Sequence, residues 1–338
     1  MKKIFTEELD RVTQSLRMFR NEHTRVFLLF SDLHTAGVDT ETAQQLLTAL
    51  EQLCKAVRPD GVIDLGDNLS MLGRERHITN EQLVTTLAQL FDRMAQAASC
   101  PLFLINGNHD AVGTDFFKPA LFNRIVAGKY DDGRAQCTPN GSWFFVEDPE
   151  ARLRMVFLSV PYESDVEAEH PRPLWEFGAE QLRWLEEEAL ATEYDVLLFT
   201  HVPFFYRYRG DMTQMLEVWN GEKVAQAYIS QLCGWIDDAP RAAEILNASG
   251  KVRACFSGHT HEDSVWMPFE KRGEDVHPLS CPQIVTRNAV AFHPAPEDVG
   301  VSIDVLLWDY EQKQIRMVRF GDGADRNMVA EDKYGSKK

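Results

Sequence analysis

Five short apolar runs, each ending in a cluster of polar residues, set the pattern of this chain. Val26–Phe30 runs into Ser31, Asp32, Leu33 and His34, and Val62–Leu65 into Gly66, Asp67 and Asn68. Leu102–Ile105 is followed by Asn106, Gly107, Asn108, His109 and Asp110. Val196–Phe199 leads to Thr200, His201, Val202 and Pro203, and Cys255–Phe256 to Ser257, Gly258, His259, Thr260 and His261. A short, continuous apolar run suits a strand buried on both faces of a sheet. In open α/β sheets, ligands bind just beyond the carboxyl ends of the strands. Clusters far apart in sequence are therefore expected to meet in space.

The intervening segments fit that architecture. Residues 40–57 place Leu46, Leu47, Leu50, Leu53, Cys54 and Val57 on one helical face. Further helices are expected over 80–97 and 179–191, and strands near 143–147, 153–160, 195–200 and 252–257. This strand–helix alternation predicts an α/β fold with a parallel sheet. Beyond Val265 the helical pattern stops, and 282–286, 299–308 and 313–320 look like consecutive strands. One domain is expected over 1–338. Its motif-bearing core covers about 25–265, and the strand-rich 266–321 completes a second sheet. Residues 1–24 form an N-terminal helix or arm, and 322–338 a polar tail.

The clusters offer aspartate, asparagine and histidine but no cysteine. Oxygen and nitrogen donors without thiolate suit manganese, iron, zinc, cobalt or nickel, not a structural zinc–sulfur site. The donors outnumber what one tetrahedral ion needs, so two ions are expected. A shared carboxylate would hold them at the roughly 3.5–4 Å spacing used in phosphoryl displacement. Gly66, Gly107 and Gly258 would let the backbone turn after each strand and admit a phosphate closely.

The series Asp32-x-His34, Gly66-Asp67, Gly107-Asn108-His109-Asp110, His201 and Gly258-His259-x-His261 resembles the calcineurin-like metallophosphoesterase family. The resemblance implies an α/β/β/α sandwich of two mixed sheets flanked by helices. It implies that Asp32, His34 and His261 hold one divalent metal ion, that Asn108, His201 and His259 hold a second, and that Asp67 bridges them. The ions would be manganese, iron, zinc or a mixture. A hydroxide between them would attack a phosphomonoester or phosphodiester in line. His109 would contact the scissile phosphate and aid the leaving group, and Asp110 would orient its imidazole.

Past His201, the segment Phe204 to Gly210 has two readings. Arg207 and Arg209 could clamp a second phosphate while Tyr206 stacks on a base or sugar, or the loop packs on its aromatics with the arginines solvated. Residues 161–178 could be a lid or a structural connection. The histidines at 23, 77, 170, 277 and 293 read as surface or capping residues.

Charge narrows the partners. The 35 Lys and Arg against 52 Asp and Glu give a net charge of −17. That balance weighs against a nuclease gripping a long polyanion, but not against binding cations. No apolar run is long enough to span a bilayer. Six cysteines without a CxxC pair read as reduced thiols, and no targeting segment is visible, so a cytoplasmic location is expected. The competing readings are a nuclease of the same family, a non-enzymatic scaffold on the same fold, and a metal-dependent hydrolase of a non-phosphate bond.

Overall fold

The long helix expected over 40–57 has its punctuation in place. Thr40 caps Glu41–Val57 by accepting the Ala43 N–H, and Arg58 ends it in the left-handed conformation. The computed structural model describes residues 3–69, 80–107, 109–110, 135–137, 143–159, 162–164, 173–204, 206–207, 216–219, 222–225, 236, 238–272, 275–290 and 299–329.

Along the chain come α1 (Lys3–Phe19), β1 (Thr24–Phe30), α2 (Glu41–Val57), β2 (Gly61–Asp64), α3 (Asn80–Ala98), β3 (Leu102–Leu104), β4 (Ala135–Cys137), β5 (Phe144–Asp148) and β6 (Leu153–Phe157). Then follow α4 (Gly178–Trp184, continued by a π-helical turn over Leu185–Ala189), β7 (Asp195–Phe199), α5 (Ala239–Ser249), β8 (Val252–Ser257), β9 (Ser264–Trp266) and β10 (Gln283–Val285). The last strands are β11 (Ser302–Asp309), β12 (Gln314–Gly321) and β13 (Arg326–Val329).

These strands form two mixed sheets. The first runs β13-β12-β11-β1-β2-β3, and the second β9-β10-β8-β7-β6-β5-β4. β1, β2 and β3 are parallel, as are β6, β7, β8 and β10, so the polar clusters gather at one end of each sheet. Strand alternation then sorts the apolar residues into layers. Val26, Leu28 and Phe30 pack under α1, α2 and α3, while Phe27 and Leu29 face the second sheet. Leu198 and Cys255 pack under α4 and α5 on the far side. The result is an α/β/β/α sandwich.

Between the sheets, Phe144, Phe157, Phe199 and Phe256 lie in register on four adjacent strands. Their rings stack at centroid distances of 4.4, 4.9 and 5.1 Å. Phe199 and Phe256 are the last apolar residues before the histidine clusters, so this stacked row floors the site.

Pairing divides the C-terminal segment, which the sequence assigns to the second sheet. Only β9 and β10 join that sheet; β11 pairs antiparallel with β1 and carries β12 and β13 with it. Seven of the eight β11 residues are buried, so the strand needs cover on both faces, which the open side of β1 provides between helices and second sheet. Residues 326–329, expected in a polar tail, form β13. His277, expected at the surface, is buried with Nδ1 2.9 Å from the Met267 carbonyl oxygen. His77, His170 and His293 lie outside the described residues.

Candidate metal centre

The loops after β1, β2 and β8 bend in a way that few side chains favour. Asp32, His34, Asp67, His259 and His261 all have positive φ, between 49° and 72°. They are half of the ten non-glycine residues in that state among the described residues. Each such turn costs about 1–3 kcal/mol and persists only where the surroundings impose it. Neighbouring loops impose it here. The Asp67 backbone N–H donates to Asp110, the Asp67 carboxylate accepts the His109 N–H at 2.7 Å, and the Asp32 carboxylate accepts the His259 N–H at 2.8 Å.

The three glycines serve this interlock. A Cβ at Gly66 would strike the backbone at Gly107, one at Gly107 the Asp67 carboxylate, and one at Gly258 the Ser31 and Asp32 side chains. The space expected to admit a phosphate is filled by the candidate ligands' own loops.

Among the described residues, three overlapping groups of side chains can each hold a metal ion: Asp32, His34 and His261; His34, Asp67 and His109; and Asp67, His201 and His259. In the first, His34 and His261 face each other with Nε2 atoms 2.8 Å apart, and His261 Nε2 lies 3.2 Å from Asp32 Oδ1. In the last, His201 Nε2 lies 3.2 Å from Asp67 Oδ2 and 3.3 Å from His259 Nδ1. Asp67 Oδ2 also lies 3.9 Å from His34 Nε2, so one carboxylate faces both groups. Backbone carbonyls orient the rings: His201 Nδ1 meets the Leu65 oxygen at 2.8 Å, and His34 Nδ1 the Leu69 oxygen at 3.3 Å.

The electrostatics are those of a cation site. Burial works against charge on His201, but Asp67 and Asp32 outweigh it and raise its pKa to about 9. Burial, with His201 beside it, lowers His259 to about 3. Burial also opposes ionisation of Asp32, yet His261 and His34 hold its carboxyl well below the usual range. Asp32 Oδ1 is buried without a hydrogen bond among the described residues. A bound cation takes the place of the proton that Asp67 and Asp32 hold on His201, and imidazoles beside ionised carboxylates so arranged fit divalent cations of the manganese-to-zinc series.

Residues 25–263 match the family model of the calcineurin-like phosphoesterases. The chain belongs to that family. No curated protein sequence matches this chain. Its fold is similar to that of a dimetal phosphatase from Danio rerio, at 15% identity and TM-score 0.59, covering 91% of this chain and 99% of the other. It is also similar to a structure of PhoD, at 13% identity and TM-score 0.50, covering 92% and 69% of the two chains.

In this chain, the expected ligands Asp32, His34, Asp67, His201, His259 and His261 come together. Asn108 lies outside the described residues. His109 stands at the open side, its Nε2 3.7 Å from Asp67 Oδ2 and its ring edge-on to His34 at 4.6 Å. Burial lowers its pKa to about 4 despite Asp67. Asp110 does not act as expected. Its two oxygens accept the backbone N–H groups of Asp67, Asn68, Leu69 and Gly107 at 2.8–3.2 Å, while His109 Nδ1 has no hydrogen-bond partner among the described residues. It braces the Asp67 loop instead of orienting the imidazole.

Tyr206 and Arg207 form a short strand paired with Asp275 and Val276, and their side chains, like all of Arg209, lie outside the described residues. Asp64 is a residue that sequence reasoning missed: fully buried, it accepts from the Gly66 N–H and Asn68 Nδ2, both at 2.9 Å. The signal was a carboxylate inside the apolar run Val62–Leu65. No helix among the described residues is long and apolar enough to cross a membrane.

Proposed function

We propose that this chain hydrolyses phosphoesters, monoester or diester, at a centre holding two divalent cations. Asp32, His34 and His261 hold one cation, Asn108, His201 and His259 the other, and Asp67 is shared. The observation that carries this reading is the place of Asp67 between the two sets: its carboxylate groups with His201 and His259 on one side and with His34, a member of the other set, on the other. When bound, the cations supply Lewis-acid polarisation of the phosphoryl group and an activated water for in-line displacement. The printed name of the Danio rerio neighbour, a dimetal phosphatase, agrees. Manganese, iron, zinc or a mixed pair suits these donors.

The protein's residues do the rest. Asp110 and the glycine contacts hold Asp67 in its strained turn before substrate arrives. The Leu65 and Leu69 carbonyls fix the rings of His201 and His34. His109, beside the candidate ligands and open to solvent on one side, reaches a phosphoryl or leaving-group oxygen and donates a hydrogen bond as charge develops there. Arg207, Arg209 and Tyr206 follow His201 in the chain and are proposed substrate contacts. A cytoplasmic location is also proposed, in keeping with Cys54, Cys255 and Cys281 not being in disulfides.

The test is hydrolysis of p-nitrophenyl phosphate and of its bis-ester by the Mn²⁺-loaded protein, with Asp67→Asn alongside. Turnover of either ester, lost by at least about 10³-fold in Asp67→Asn, is expected. Preference for one ester assigns the subclass. No turnover and no bound metal would sink the reading.

A further inference from the structure

The loop that carries His259 and His261 ends at Asp263, whose carboxylate meets buried charges contributed by the C-terminal strands. Arg319 on β12 is wholly buried; its guanidinium lies 3.1 Å from Asp304 Oδ1, donates to Asp263 Oδ1 at 2.5 Å and bonds the Ser302 hydroxyl. Arg326 on β13 pairs with the other Asp304 oxygen, donates to the Val285 carbonyl at 3.1 Å and lies 3.5 Å from Asp263 Oδ1. Thr286 Oγ1 donates to Asp304 at 2.7 Å, and the Arg287 N–H donates to Asp263 at 3.1 Å. A Cβ at Gly323 would press on both the Asp263 carboxylate and the Arg319 guanidinium, so the turn after β12 closes onto the cluster.

Arg319 and Asp304 are closed off from solvent and Arg326 nearly so, while Asp263 is partly exposed at the end of the cluster nearest the loop. Ion pairs as deep as Arg319–Asp304 contribute little net stability, because desolvation offsets their attraction; a fixed geometry is the better reason for them. Two residues before Asp263 stands His261. Its side chain is 36% exposed, against 6% for His34 and none for His201, so packing alone does not hold it. We infer that the Asp263–Arg319–Arg326–Asp304 cluster positions His261 and thereby sets the affinity of the cation held by Asp32, His34 and His261. This inference rests on the two-cation reading above. Asp304, Arg319 and Arg326 lie beyond the segment matched by the family model, which ends at residue 263. They are positioning residues, acting through the loop and touching neither metal nor substrate.

The test titrates full-length metal-free protein with Mn²⁺ by calorimetry and follows the electron paramagnetic resonance signal. Wild type is expected to take two ions, giving an exchange-coupled spectrum. In Asp263→Asn, and independently in Arg326→Gln, one of the two ions should bind roughly 10–100-fold more weakly. The signal at two equivalents should then be that of isolated Mn²⁺. Asp263→Glu, which keeps the charge, should recover most of the affinity. Asp195→Asn is the matched control. It breaks a partly buried pairing with Arg253 and Lys313 at the opposite end of β7, and should lower thermal stability while keeping both ions. Two ions bound at wild-type affinity in both cluster variants, or an equal loss in the control, overturns the inference. Fewer than two ions in wild type overturns the two-cation reading itself, and this inference with it.

Discussion

Asp67, His201 and His259 sit under the loops, and the His201 ring is closed off from solvent and tied to the Leu65 carbonyl. Asp32 and His34 share their group with His261, whose ring is partly exposed and whose loop is moored by charged side chains further along the chain. Both halves offer carboxylate and imidazole, and the side chains of Asp32 and His34 are buried as that of Asp67 is, yet the second half is completed by a ring at the rim, that of His261. Apolar packing fixes a ring only where that ring is surrounded; elsewhere, directional polar contacts must do it.

The sharpest way to break this contrast is to truncate a histidine in each half and melt the metal-free proteins. His201→Ala should cost about 2–4 kcal/mol, since it leaves a buried gap and an unpaired Leu65 carbonyl. His261→Ala should cost less, about 1–2 kcal/mol, because a partly exposed ring leaves no cavity and only its contact with the buried Asp32 carboxylate is lost. Equal losses would erase the distinction.

Asp110→Asn comes next. The amide presents N–H groups to backbone donors that now share a carboxylate, so about 2–3 kcal/mol of stability should go. Activity should fall further than stability explains, because Asp67 loses its brace; a KM unchanged against a lowered kcat would show this.

Gly107→Ala should cost about 1–3 kcal/mol by forcing the Asp67 carboxylate aside, and should weaken both cations together. An effect on one cation alone would contradict the shared position of Asp67.

The last effect concerns pH. The folded His201 pKa of about 9 lies above the ordinary 6.5. Its contribution to the metal-free protein is therefore full below pH 6.5 and lost as pH rises towards 9. His259, lowered to about 3, acts oppositely: its contribution is present above 6.5 and lost as pH falls towards 3. Thermal melts should show a steeper decline between pH 6.5 and 9 in wild type than in His201→Gln. Parallel curves would remove His201 from the account.

Much of the fold and half-hidden outlines of the site were legible in the chain. The buried parallel strands announced themselves as unbroken apolar runs, because burial on both faces leaves no room for alternation. The α5 helix was missed although Pro240 at its start and Gly250 in the left-handed cap at its end are ordinary punctuation. Asp110 was misjudged because adjacency to His109 suggested contact, whereas the turn sends its carboxylate into the N–H groups of a different loop.

By itself the sequence determined which residue types close each strand, and hence the class of chemistry available, since donor atoms are covalent properties of the side chains. It also determined the parallel core, through local hydrophobic patterning. Tertiary structure alone decided that β11 to β13 extend the first sheet, and that Asp304, Arg319 and Arg326 meet Asp263. It alone decided that five candidate ligands adopt positive φ. These outcomes depend on the pairing of distant segments and on loops pressing against one another, and no local pattern encodes a contact whose partner lies elsewhere in the chain.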